Sequence, residues 1–384
     1  MAARCPAGPP AHTLTRRGVL RSGAALLAAA STPRAATAQM TTPGDTLVAP
    51  GQIGYVLSHE QFAVPQLVEL AVEAEQEGFD AVWASDHLQP WLASEGHSGL
   101  AWITLGAIGQ RTRRIRMGTG VPCPSFRYNP AVVAEAFATL GQLYPGRVFL
   151  GLGSGEALNE AAATGVWPKW RERSQRLVEA TQLIRALWTG RQIEHRGTYF
   201  KVNARLYDVP AIPVPIFMAG NGPKAMRRCG QYGDGLITDP GTWRRHRTEF
   251  AAGVAAARKD ATTVPIAAEQ FVVLGGRPEA EAAARLWRFI PKAWKPYYNV
   301  PDPREIERRA TAEVPLERVY ESWPVSTDPE VHAQALVKLF GSGVTQVYVH
   351  SAEPDQMSVI RFYGREVLPR VRHRLAQSER ATSR

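Results

Sequence analysis

Between about residue 50 and residue 350 the chain repeats one rhythm, a short apolar run, a turn, and a longer stretch whose apolar positions recur every three or four residues. Residues 53–57, 81–84, 115–121, 147–152, 215–218, 235–238, 267–273 and 346–350 are short, mostly apolar runs and read as buried strands. Helical patterns lie between them. In 65–77, Leu67, Leu70, Ala71 and Ala74 share one face and Gly78 stops the helix. Residues 100–110, 131–143 and 170–188 carry the same period. Eight buried strands in a βα rhythm predict an α/β fold, a closed parallel (β/α)8 TIM barrel over 53–370, rather than an open doubly wound sheet.

The segment 288–328 breaks the rhythm. It holds Trp294, Tyr297, Tyr298, Tyr320 and Trp323 among several prolines, which predicts an insertion between late barrel elements with the character of a lid. Residues 371–384 read as a basic, partly frayed C-terminal tail.

The 384 residues are 45% hydrophobic, enough for one large barrel and its core. The net charge of +10 invites a nucleic-acid reading, but Arg4, Arg16, Arg17, Arg21 and Arg34 supply half of it before any acid appears. The rest is interleaved with acids and forms no basic stripe with aromatics, so nucleic acid is not an expected partner. Cys5, Cys123 and Cys229 are too few for a disulfide framework or a spaced metal cluster; no metal is expected, and Cys123 and Cys229 read as free thiols.

Arg16 and Arg17, a mild apolar stretch over 23–30 and then Ala36-Thr37-Ala38 follow the order of a secretory leader. The paired arginines point to the twin-arginine translocation machinery, a signal peptide over 1–38 and a linker over 39–52. The expected location is the cell envelope or periplasmic space, with Gln39 as the mature start.

In a TIM barrel, chemistry gathers where the strands end. Those ends carry Glu60, then Asp86 and His87 with Trp91 close behind, Gly120 to Cys123, the turn from Gly151 to Glu160, Gly220 to Gly222, and Asp239 to Thr242. His87 is the best neutral-pH base among them. The glycines before Glu156 and Asn159 would let a flat ring or a phosphate approach backbone N–H groups, although the spacing is not that of a P-loop. These residue types alone also admit a hydrolase that uses Asp86 and Glu156 as paired carboxylates.

Ser85-Asp86-His87 through Trp91, Pro124-Ser125-Phe126-Arg127-Tyr128-Asn129-Pro130 and Gly153-Ser154-Gly155-Glu156-Ala157-Leu158-Asn159-Glu160 strongly resemble the F420-dependent glucose-6-phosphate dehydrogenases, members of the bacterial luciferase-like barrels. With the leader, the sequence is more similar to the twin-arginine-exported branch of that family, which includes F420-dependent hydroxymycolic acid dehydrogenases. The resemblance implies coenzyme F420 as cofactor, His87 as the base for a substrate hydroxyl and Glu156 as the acid that protonates the reduced ring. It implies that Asp86, Trp91, Gly120, Val121, Cys123, Ser154, Gly155 and Asn159 hold the ring and side chain. Gly120-Val121 would be a non-prolyl cis peptide, and Cys123 replaces the usual hydroxyl residue. Asn221, Gly222, Lys224 and Ala225 would hold the phosphate and tail.

The pocket expected for substrate comprises Glu60, Asp239, Thr242, Trp294, Tyr297 and Ser322. The resemblance implies that sugar-phosphate members place cations at positions that fall here on Thr242 and Ser322; a third has no secure counterpart, with Tyr297 and Tyr298 in its region and Lys295 as the one candidate. A phosphate dianion needs such partners. Their loss shifts the expected substrate to an apolar or lipid alcohol, such as a hydroxymycolic acid oxidised to a ketomycolic acid. Alternatives are a glucose-6-phosphate dehydrogenase and an F420-dependent reductase or carrier. A homodimer is compatible with all of these.

Overall fold

The computed structural model describes residues 51–382. The expected leader and nearly all of the expected linker lie outside them. Eight parallel strands close into a barrel: β1 (Gln52–Leu57), β2 (Ala81–Ala84), β3 (Arg116–Thr119), β4 (Val148–Leu152), β7 (Ile216–Ala219), β8 (Gly235–Thr238), β9 (Ile266–Val272) and β10 (Gln346–Ser351). β1 closes the ring, pairing Gln52 with Gln346 on one side and Gly54 with Ala81 on the other. Between β4 and β7 the chain also forms a small antiparallel hairpin, β5 (Ile193–Arg196) and β6 (Lys201–Ala204), outside the barrel. The sequence pattern did not announce it, because its residues are polar and largely exposed; Glu179 holds it by accepting from the Phe200 N–H at 2.8 Å.

The barrel interior is filled, not hollow. Alternate residues Val56, Trp83, Phe149, Phe217, Ile237, Ala267 and Tyr348 form its buried layer, with Trp83 stacked on Tyr348 at 4.0 Å. Large rings fit because neighbours are small. A Cβ on Gly54 would come within 2.5 Å of the Tyr348 ring. Burying an aromatic of this size is worth about 1.5–3 kcal/mol, so the small-large pairing is part of what holds the barrel shut.

The outer helices are α1 (Val64–Gln76), α2 (Ala101–Arg111), α3 (Pro130–Leu143), the short α4 (Glu160–Thr164), α5 (Trp170–Leu187), α6 (Pro223–Tyr232) and α7 (Pro240–Ala256). Leu67, Leu70, Ala71 and Ala74 of α1 are all buried, the face that the heptad-like spacing picked out. After β9 the chain leaves the barrel and returns beside its end at Val325, which pairs in parallel with Val273. That excursion takes in α8 (Arg277–Leu286), α9 (Pro303–Glu313) and α10 (Leu316–Tyr320), so it begins earlier than residue 288. Ala280, Ala283 and Ala284 of α8 pack with Trp287, Phe289 and Tyr297 in a separate apolar cluster, which is why α8 belongs with the insertion. Trp91 and Leu92, from the loop after β2, are buried in the same cluster and dock the insertion over the barrel mouth.

The chain ends with α11 (Pro329–Gly341), α12 (Gln356–Phe362) and α13 (Leu368–Thr382). The region read as a frayed tail from 371 continues α13. Val371 is fully buried and Arg372 donates to the Gly78 carbonyl at 2.7 Å, tying the helix to the end of α1.

Candidate active site

Three strand ends bring their polar side chains together. Glu60, three residues beyond β1, is buried; its Oε2 accepts from the hydroxyls of Ser58 at 2.9 Å and Ser85 at 2.5 Å. Its Oε1 lies 3.2 Å from Nε2 of His87, just past β2. The other ring nitrogen, Nδ1, lies 3.0 Å from Nδ2 of Asn159, from the turn after β4. Asn159 Oδ1 accepts from the Leu88 N–H at 2.8 Å, which fixes which way the amide points. The amide NH2 therefore donates to His87 Nδ1, and the imidazole proton sits on Nε2, facing Glu60. Asn159 Nδ2 also reaches Glu156 Oε2 at 3.3 Å, completing a chain from Glu60 through His87 and Asn159 to Glu156.

The two ends of that chain titrate in opposite directions. Burial pushes the Glu60 carboxyl up, but the neighbouring His87 with the Ser85 and Ser58 hydroxyls outweighs it and leaves the group below its ordinary value. Burial of Glu156 wins over His87 and Asn159, so its carboxyl is raised and holds a proton at higher pH than an exposed glutamate. One end suits an anion and the other suits an acid.

Asp86 is paired within the protein itself. Its carboxylate, buried and raised by that burial against the pull of Arg127 and Tyr128, accepts from Arg127 Nη2 at 3.0 Å and Tyr128 Oη at 3.1 Å. The Phe126-Arg127-Tyr128 stretch was visible in the sequence as a motif, but the pairing across the barrel mouth was not. Trp91 is stacked on Phe289 of the insertion at 4.5 Å, with its ring 5.9 Å from that of His87.

A cavity of about 400 Å³ opens beside this network. One wall is Val121, Ser154, Gly155 and Glu156; the other is Asn221, Gly222, Lys224 and Ala225 at the start of α6. Trp170, Arg173, Trp294 and Tyr298 close it. The Gly120–Val121 peptide is cis. Gly155 has φ of 79°, and a Cβ there would meet Cys123 Sγ at 3.0 Å, so only glycine fits. Cys123 consequently packs behind the turn, buried, with its thiol pushed up by that burial, and does not line the cavity.

Several expected pocket residues are placed elsewhere. Tyr297 is fully buried in the insertion and donates to Glu313 at 3.2 Å; its neighbour Tyr298 is the one that faces the cavity. Ser322 is exposed just beyond α10 and lines neither wall. Asp239 caps α7 by accepting from the Thr242 N–H at 2.9 Å, and Thr242 is buried there. Glu60 stands behind His87 and Gly120 lies against Trp83, neither lining the cavity; Asp86, His87, Trp91 and Asn159 also stand outside its lining, and Glu156 is where the network reaches it. Exposed Arg245, one turn along α7, donates to the Thr242 hydroxyl at 3.3 Å, a cation that counting residues at one position missed. Arg173 was missed as well, because α5 has the periodicity of an ordinary surface helix.

A family model for luciferase-like monooxygenases matches residues 46–346. The chain is 48% identical over 323 residues to an F420-dependent hydroxymycolic acid dehydrogenase of Mycobacterium tuberculosis, covering 83% of this chain and 88% of that one. It is 40% identical to F420-dependent glucose-6-phosphate dehydrogenase 2 of Rhodococcus jostii, covering 84% and 98%. Among solved structures it is similar to an F420-dependent secondary alcohol dehydrogenase in complex with an F420-acetone adduct, with 34% identity, a TM-score of 0.79, and coverage of 84% of this chain and 99% of that one.

Proposed function

Starting from the premise that the chain belongs to the luciferase-like monooxygenase family, we propose that it is an F420-dependent dehydrogenase oxidising a secondary alcohol to a ketone, with an apolar or lipid alcohol such as a hydroxymycolic acid as substrate. The observation that carries the reading is His87, held between Asn159 and the buried anion of Glu60, with the proton-retaining Glu156 at the far side of the same amide.

The residues fit the cofactor. The cavity wall at Gly153 and Gly155 has no side chain to block a flat ring, and a Cβ on Gly222 at the start of α6 would meet nothing within 4 Å, leaving room beside unpaired backbone N–H groups. Val121, Ser154, Gly155, Asn221, Gly222, Lys224 and Ala225 would hold it. When bound, F420 accepts a hydride at C5 of its deazaflavin ring. The substrate proton enters His87 at Nδ1, displacing the Asn159 amide, and the imidazolium is then stabilised at Nε2 by Glu60, the role a carboxylate takes behind a catalytic histidine. The Asn159 amide stays with Glu156, whose raised carboxyl supplies the balancing proton.

Two features support an apolar substrate. Trp294, half exposed, and Tyr298 form the outer wall of the cavity, and the positions Thr242 and Ser322 carry no charge. A second reading, oxidation of glucose 6-phosphate, is favoured by one specific contact, the Arg245 guanidinium beside Thr242, which could meet a phosphate. The deciding experiment supplies purified protein and F420 with a hydroxylated long-chain lipid or with glucose 6-phosphate and follows loss of the oxidised cofactor's absorbance. Turnover of the sugar phosphate alone would sink the lipid reading, and turnover of neither would sink the dehydrogenase.

We also propose export by the twin-arginine route, on the strength of Arg16, Arg17 and Ala36 to Ala38. Mass spectrometry of the envelope fraction should find a mature start at Gln39. Replacing Arg16 and Arg17 with lysine should hold the protein in the cytoplasm; unchanged export of that variant counts against the route.

A further inference from the structure

Arg173 is only 2% exposed, yet it lines the cavity. Its Nη1 donates to the Pro168 carbonyl at 2.7 Å, and its guanidinium lies 3.8 Å from the centre of the Trp167 ring and 5.3 Å from the centre of the Tyr298 ring, whose neutral hydroxyl also favours the charged form. Among the described residues no carboxylate forms an ion pair with it, and its buried Nε has no hydrogen-bond partner. Arg127 is the instructive contrast, since its guanidinium is matched by Asp86 at 3.0 Å. An arginine does not shed its proton under physiological conditions. A desolvated cation left without an anion costs several kcal/mol; cation–π contact with Trp167 offsets about 2 kcal/mol or more of this but supplies no formal negative charge. A residue held at that cost, beside space large enough for a ligand, is poised for a charge that arrives from outside.

We infer that Arg173 is an anion-binding residue of the cavity, a guanidinium desolvated in advance that pairs with a phosphate or carboxylate group of the bound ligand. This rests on the cofactor reading only for the ligand's identity. Lys224, exposed on the opposite wall, supplies a second cation of a different kind, flexible and solvated, so the two divide the work. Arg173 gives little cost of desolvation on binding, because it has been paid by the fold. Its charge is also felt at Glu156, where it opposes the upward push of burial. Neutralising Arg173 with an anion removes that opposition, so anion binding and retention of the Glu156 proton favour one another.

The test uses the full chain without F420 and follows quenching of tryptophan fluorescence by inorganic phosphate and, separately, by glutarate, which distinguishes a phosphate from a carboxylate source. F420 binding is then measured by equilibrium dialysis. The expected result is that Arg173→Met weakens the better of the two anions at least tenfold and F420 about tenfold, Arg173→Lys recovers part of each, and the ligand-free melting temperature of Arg173→Met does not fall. A guanidinium serving only the fold would instead lower that melting temperature and leave both affinities unchanged, which overturns the inference. So does a wild type that binds neither anion nor F420, or losses that follow Lys224→Met but not Arg173→Met. If the wild type binds phosphate through Arg173 but not F420, the cofactor assignment fails and the anion site stands.

Discussion

The two sides of the barrel mouth are built on opposite principles. On the side of β1, β2 and the turn after β4, the polar groups of Glu60, Ser85, His87 and Asn159 answer one another, each hydrogen bond fixing the next. On the side of α5 and α6, the buried Arg173 guanidinium has no ion-pair partner among the described residues and an unpartnered Nε, and Trp294 stands half exposed. Satisfied networks rigidify and set tautomers before a substrate arrives. Unsatisfied groups make room for what the protein binds. On the proposed reading, the difference separates residues that would do chemistry from residues that would receive a ligand.

The largest expected effect strikes the satisfied side. His87→Ala should lower kcat by about 10²–10⁴-fold with F420 affinity changed by less than threefold, measured by steady-state turnover and equilibrium dialysis. A comparable loss of cofactor affinity would dissolve the division. Next comes a titration behind that side. Burial raises the Glu160 carboxyl to about 7, while its Oε2 accepts from the Arg127 N–H at 2.9 Å. A raised carboxyl binds protons more tightly folded than unfolded, so its contribution to stability is lost as pH rises from the unfolded value through about 7. Glu160→Gln, which keeps the acceptor but cannot ionise, should gain on the order of 2–3 kcal/mol relative to the wild type between pH 5 and pH 8, read by denaturant melts at both pH values. Equal differences at both would show that Glu160 is not the titrating group.

Asn159→Ala should cost about 10-fold in kcat, since it frees the His87 ring and its tautomer while sparing Glu60. If the pH profile of this variant matches that of the wild type, the amide is not what fixes the proton on Nε2. The smallest effect belongs to the receiving side. Trp294→Ala should raise KM for a long-chain alcohol about 3–10-fold, the worth of ~1 kcal/mol of apolar contact, and leave a short secondary alcohol unaffected. An equal change for both would place Trp294 against the cofactor instead of the substrate.

Sequence periodicity found all eight barrel strands, because each is buried on both faces and reads as an apolar run. It overlooked β5 and β6, whose alternation is polar. At the site, His87, Glu156 and Asn159 were legible from their strand-end positions and motifs. The roles of Arg127 and Tyr128 were not, because the charge they meet, Asp86, lies some forty residues away in the chain. Tyr297 and Tyr298 are adjacent and alike in type; only the packing of the insertion decides that one is core and the other cavity wall.

What the sequence determined by itself was therefore local and periodic: which segments are strands or helices, that they alternate, and which glycines and acids fall at the ends. The tertiary structure decided partnership. Arg173 and Arg127 are the same residue type, each near an aromatic motif, and nothing in either's neighbours along the chain tells them apart. Closing the barrel gave Arg127 a carboxylate and gave Arg173 a cavity, because charge compensation depends on distance through space and not on separation along the chain.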